Sequence, residues 1–171
     1  MSDATTTAAR PADRRGILFL IAALVILLDR ITKIAVAHML PLGGERAVIP
    51  KVFWISHVLN TGAAFSLFGD TASPERVRWL LVGFSLIAAV IIGIVLLRIG
   101  RRITATTFGL ALILGGAIGN VYDRIRTGAV IDFLEVHIVH YHWPDFNVAD
   151  SCIVIGGILL VLHSLVAARE L

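Results

Sequence analysis

Apolar positions fall into four stretches separated by polar or mixed segments. The first covers residues 16–28 and continues through Asp29 and Lys33 to about residue 40. The others cover residues 77–97, 103–122 and 148–168. Each is about 20 residues or longer, enough to cross a hydrocarbon core of ~30 Å at 1.5 Å per residue. Four helices are therefore predicted. No sequence repeat relates the two halves. A signal peptide is the rival reading of the first stretch, because arginines precede it. It fails because no small-x-small cleavage site follows and the helical pattern carries on. Residues 1–15, MSDATTTAARPADRR, are small and polar and read as a disordered tail.

The segments between the helices differ in character. Residues 41–76 include RAVIPKVFWISHVLN, rich in β-branched and aromatic residues and broken by Pro50, which suits short strands at a membrane surface. Phe53, Trp54, Phe65 and Phe68 suit a headgroup region, and Trp79 and Trp143 fall near the same interface. Residues 123–147 read as a connecting loop that turns at Thr127–Gly128. Arg10, Arg14 and Arg15, then Arg98, Arg101 and Arg102, then Arg169 fall on one side of a four-crossing bundle. Cytoplasmic segments concentrate Lys and Arg, so both termini are expected there and the two long segments outside.

Composition agrees. Hydrophobic residues make up 57% of the 171 and charged residues 16%, where a soluble domain carries about 25% charged. The length fits one domain, residues 16–168, behind the tail. A net charge of +3, scattered along the chain, gives no reason to expect nucleic acid. The single cysteine, Cys152, excludes an internal disulfide and reads as a packing residue.

The charges are unevenly placed. Residues 103–118 contain no ionisable side chain, and then Asp123, Arg124, Arg126, Asp132, Glu135 and His137 follow closely. Asp132 has apolar neighbours, which raise a carboxyl pKa. Asp150 is in the first turn of the last helix, where the dipole favours a carboxylate. Both belong to the outer side, and two acids in unlike environments can share one proton and act as an aspartyl dyad. Solvated loop or capping acids are the plain alternative. Asp29 and Lys33 are four apart and share a helix face. They form either a mutual salt bridge with Lys33 snorkelling outward, or contacts to the outer segment or a substrate headgroup. Gly115, Gly116 and Gly119 offer a smooth face for helix contact, with Asn120 beside them. Asp123 and Arg124 read as scaffold or headgroup contacts at the start of the loop. Gly62, after Asn60, suits a close backbone approach. His137, His140 and His142, with Glu135 and Asp145 nearby, invite a metal reading, but no H-E-x-x-H is present and interfacial histidines are ordinary.

Two rivals to an enzyme are a transporter with a proton relay and an assembly or lipid-binding scaffold without chemistry. A relay needs stepping stones toward the cytoplasm, and the second stretch provides none. A scaffold would tolerate loss of Asp132 and Asp150.

NTGAAFS, GGAIGNVYDR, VIDF and FNVADS occur in that order, with DRITK in the first helix. Over residues 17–167 the chain resembles the lipoprotein signal peptidase (signal peptidase II) family. The resemblance implies an all-α inner-membrane protein of bacteria with four transmembrane helices, a small periplasmic β-cradle and a short amphipathic loop. It implies an aspartic endopeptidase that cuts diacylglyceryl-modified prolipoproteins just before the lipidated cysteine, works beside membrane phospholipid and is inhibited by globomycin. It makes Asp132 and Asp150 the catalytic pair. Asp29, Lys33, Asn60, Gly62, Asn120, Arg124 and Asn147 match the supporting positions, and Asp123 a structural one. No metal or other cofactor is implied. One departure is Arg30, where the family commonly has Gln; it would lie beside the site or snorkel from the lipid.

Overall fold

The computed structural model describes residues 13–62, 73–139 and 141–168. Most of the expected tail, together with Phe65, Phe68, His140 and Arg169, lies outside them. The elements in chain order are α1 (Arg15–Met39), β1 (Glu45–Ile49), β2 (Phe53–Asn60), α2 (Pro74–Ile99), α3 (Ala105–Thr127), β3 (Val130–Ile138), β4 (Tyr141–Phe146) and α4 (Val148–Ala167).

The helix α3 is central and packs against α1, α2 and α4. Its glycines permit this. A Cβ on Gly115 would lie 2.7 Å from the Ala22 carbonyl of α1, and one on Gly109 would lie 2.8 Å from the Gly156 carbonyl of α4. A Cβ on Gly119 would meet the Asp29 carboxylate at 2.9 Å. Backbones approach this closely only where side chains are small. Away from α3 the helices are apolar outward: Leu80, Phe84, Ile87 and Val90 of α2 and Leu20, Leu24, Leu27 and Ile31 of α1 are exposed. An exposed apolar belt of this extent belongs against lipid, and the protein is membrane-embedded.

By length and composition α2, α3 and α4 suffice to cross a membrane. At 25 residues α1 spans about 37 Å, but Asp29, Arg30 and Lys33 interrupt its apolar run.

Strands β1 to β4 form one antiparallel sheet in that order, so an all-α label understates the fold. The pairing of β2 with β3 joins the two segments between helices and sets Val58 opposite Asp132. Gly43 N–H donates to the His57 carbonyl at 2.9 Å, and the His57 ring bonds the Leu40 carbonyl at 2.9 Å, seating the sheet on the end of α1. Pro50 does separate two strands, and Lys51 takes a left-handed φ of 68° in the turn.

Two boundaries differ from expectation. Asp123, Arg124 and Arg126 belong to the last turns of α3, not to a loop. Basic side chains are favourable at a helix C-terminus, and the helix stops only at Gly128, whose φ of 85° closes the αL cap. Val130–Ile138 and Tyr141–Phe146 are paired antiparallel strands rather than parts of a connecting loop.

Candidate active site

Between the sheet and the ends of α3 and α4 lies an open cavity of about 620 Å³. Asn60, Gly62, Asn120, Arg124, Asp132 and Asp150 all line it. The hairpin segment Trp143, Pro144, Asp145 and Phe146 forms one wall, and Ile153 and Val154 of α4 carry apolar surface into it.

Asp132 comes from β3 and is 2% exposed. Its Oδ2 accepts from Asn60 Nδ2 at 2.9 Å and its Oδ1 from Asn147 Nδ2 at 2.7 Å. Burial pushes its pKa from 3.8 up to about 6; the Asn60 amide opposes this and the charge of Asp150 adds to it. Asp150 comes from the first turn of α4. Its Oδ1 accepts from Asn120 Nδ2 at 2.7 Å and its Oδ2 from the Asn147 N–H at 3.2 Å.

Asn147 is fully buried and joins the two acids. It is the N-cap of α4: its Oδ1 accepts the Asp150 N–H at 2.9 Å, completing a capping box. Its Nδ2 reaches Asp132 and also Asn120 Oδ1, at 3.3 Å. Two asparagine amides thus connect the carboxylates, and among the described residues neither acid forms an ion pair. Asn60 also turns its own Oδ1 to the Gly62 N–H at 3.0 Å, while Arg124 Nη2 donates to the Gly62 carbonyl at 3.3 Å. The strand end beside the acids is held from both sides. Arg124 Nε is buried and has no hydrogen-bond partner among the described residues.

Below this layer is a second set of charges. Lys33 Nζ, fully buried, lies 2.8 Å from Asp29 Oδ2 and 2.8 Å from Asp123 Oδ2, and donates to Asn120 Oδ1 at 3.1 Å. Asp29 Oδ1 accepts the Ala149 N–H of α4 at 3.1 Å. The salt bridge of the sequence reading is present, but Lys33 does not snorkel, and neither side chain bonds the described residues of the outer segment 41–76. Both point inward, because unpaired charge in an apolar surround costs far more than charge paired inside. Asp123 also pairs with Arg30. Arg30 is neither turned to the dyad nor loose in the lipid; its guanidinium lies over the Tyr122 ring, 4.6 Å from the centroid.

Sequence reasoning missed Asp145 as a wall of the cavity. Burial raises its carboxyl, and Glu135 nearby adds to the rise. Nothing in the local sequence marks it, since its place depends on the β3–β4 pairing.

The chain can be set beside known proteins at this point. Residues 21–166 match the family described as Signal peptidase (SPase) II. The lipoprotein signal peptidase of Paraburkholderia phymatum is 46% identical over 87% of each chain, and that of Cupriavidus pinatubonensis 37% identical over 99% of each. Two structures described as bacterial membrane enzymes, solved in meso at 2.3 and 1.9 Å resolution, superpose with TM-scores of 0.83 and 0.76. They share 27% and 30% identity with this chain, which is covered to 95% and 92%, as they are to 96% and 98%. With a cavity holding two amide-bridged carboxylates, an apolar helical belt and these relatives, the chain belongs to the signal peptidase II family.

Proposed function

We propose that this peptidase removes the signal peptide from diacylglyceryl-modified prolipoproteins, just before the lipidated cysteine, with Asp132 and Asp150 as its catalytic dyad. One observation carries the assignment: acids from two different elements are bridged by Asn147 and Asn120 in a single cavity lined by both.

Burial favours the protonated form of Asp132, which is therefore given the role of acid, and Asp150 is given that of base. Asp150 takes a proton from water, whose oxygen attacks the scissile carbonyl carbon while Asp132 donates its proton to the carbonyl oxygen. Collapse of the tetrahedral species returns that proton to Asp132. The C–N bond breaks and the leaving amine takes the proton held by Asp150. No cofactor enters these steps. Asn60, Gly62 and Arg124 have amide, backbone and guanidinium groups at the cavity edge suited to a peptide backbone.

Four crossings are supported by α1, which turns Asp29 and Lys33 inward and leaves a leucine and isoleucine face outward. Arg14 N–H bonds the Arg101 carbonyl, gathering the basic residues at one end of the bundle. That end lies in the cytoplasm with both termini, and the site faces the periplasm across the inner membrane. The substrate helix enters sideways, its acyl chains left among phospholipid, and globomycin competes with it.

The test follows cleavage of a diacylglyceryl prolipoprotein by gel shift, comparing wild type, Asp132→Asn and Asp150→Asn in detergent, with and without a chelator. Loss of about 10³-fold or more in each folded variant, with the wild type still cleaving in chelator and inhibited by globomycin, is expected. Near-normal activity in either variant removes the dyad; an intact substrate with wild type removes the peptidase reading.

A further inference from the structure

The β3–β4 hairpin carries a cluster that the proposed reaction does not use. Glu135 and His137 are two apart on β3, so they share one face of the strand. His142 of β4 is registered directly opposite His137. The two imidazole rings stack with centroids 4.0 Å apart, and Trp54 stacks on His137 from β2 at 5.8 Å. Glu135 Oε1 lies 2.6 Å from His137 Nε2. One ligand atom from each of Glu135, His137 and His142 lies within 4.8 Å of the other two.

We propose that Glu135, His137 and His142 bind a borderline transition dication of the zinc type, clamping β3 to β4. An ion at the centre of a triangle with that longest side sits about 2.8 Å from each corner, against ~2.0–2.2 Å for zinc to nitrogen or carboxylate oxygen. Closing this gap requires new side-chain rotamers that part the stacked rings, while the strand register keeps His137 opposite His142. Two imidazoles and one carboxylate select zinc, copper(II) or nickel(II) over magnesium or calcium, which require oxygen. The local charge favours a dication as well: Glu135 and Glu45 both lie near enough to Asp145 for their charges to act on its carboxyl. His142 is exposed and the other two are half-buried, so an ion has a path in and a fourth position open to water. The residues after His142 are Trp143, Pro144, Asp145 and Phe146, the wall of the active cavity. A metal clamp at the base of that wall fixes its position without touching the reacting atoms.

Cobalt(II) is the probe, read by its visible ligand-field absorption on the purified full-length protein in detergent after removal of any histidine tag. One equivalent of saturable signal, displaced by zinc but not by millimolar magnesium or calcium, is expected. His142→Ala and Glu135→Gln should each weaken binding at least tenfold, while His163→Ala, at a distant helix position, should not. Both altered residues are at least partly exposed, and circular dichroism with thermal unfolding confirms that each variant is folded. Absence of a saturable signal in wild type overturns the site, as does equal binding by folded His142→Ala. The readout is spectroscopic, so its failure leaves the peptidase assignment untouched, and loss of cleavage leaves the metal assignment untouched.

Discussion

Two pairs of buried acids lie close together in this protein and are handled in opposite ways. Asp29 and Asp123 face cations: Lys33 is 2.8 Å from both, and Arg30 is paired with Asp123. Among the described residues the hydrogen-bond partners of Asp132 and Asp150 are amides, from Asn60, Asn120 and Asn147. A cation offsets the charge of a buried carboxylate and commits the pair to structure. An amide satisfies the hydrogen bonds of a carboxylate without neutralising it, so the second acid of the pair still repels ionisation of the first. The contrast separates acids braced by cations from the acids proposed to exchange protons, and Asn120 joins the two sets by accepting from Lys33 while donating to Asp150.

The sharpest way to break this contrast is to remove the shared cation. Lys33→Met leaves two buried carboxylates with one cation, Arg30, between them and should cost about 3–5 kcal/mol, read by thermal unfolding in detergent. Adding Asp29→Asn and Asp123→Asn should recover much of the loss; a single variant as stable as wild type shows that Lys33 does not brace the helices. The proposed dyad should respond to pH. With Asp132 at about 6, kcat/KM should fall about tenfold per unit as pH rises beyond that value and its proton is lost. Stability moves the same way. A folded pKa above 3.8 means that the folded form binds the proton more tightly, so the contribution of Asp132 is lost as pH rises from 3.8 through about 6. Asp132→Asn lacks that dependence, so its stability relative to wild type should be higher at pH 8 than at pH 4. A flat kcat/KM between pH 5 and 8 contradicts a proton held on Asp132. The smallest effect belongs to Arg30→Gln. Arg30 is partly exposed and Lys33 remains on Asp123, so about 1 kcal/mol or less is expected, with cleavage unchanged. A large loss would place Arg30 within the brace rather than at its edge.

Apolar runs of about 20 residues made the helices legible, and the charged inserts in them marked where the bundle had chemistry. Gly128 made the turn legible because a left-handed φ calls for glycine. The end of α3 was obscured by Asp123, Arg124 and Arg126, which look like loop residues but suit a helix C-terminus. Strand β3 was hidden for a different reason. Asp132 is buried among Val130 and Phe133, so the strand lacks the polar–apolar alternation that signals one. Functional acids break local rules in this way. The bridging by Asn147 and Asn120 was invisible, because it exists only once residues 27 apart meet across α3 and α4.

Asn147 gives the enzyme a built-in order of assembly. The amide that starts the last helix is the amide that links Asp132 to Asp150. A chain still emerging from synthesis, with α4 not yet inserted, has one acid of the dyad and no bridge to the other. In the mechanism proposed, such an immature chain is inert toward every lipoprotein around it, without a propeptide or an inhibitor to keep it so.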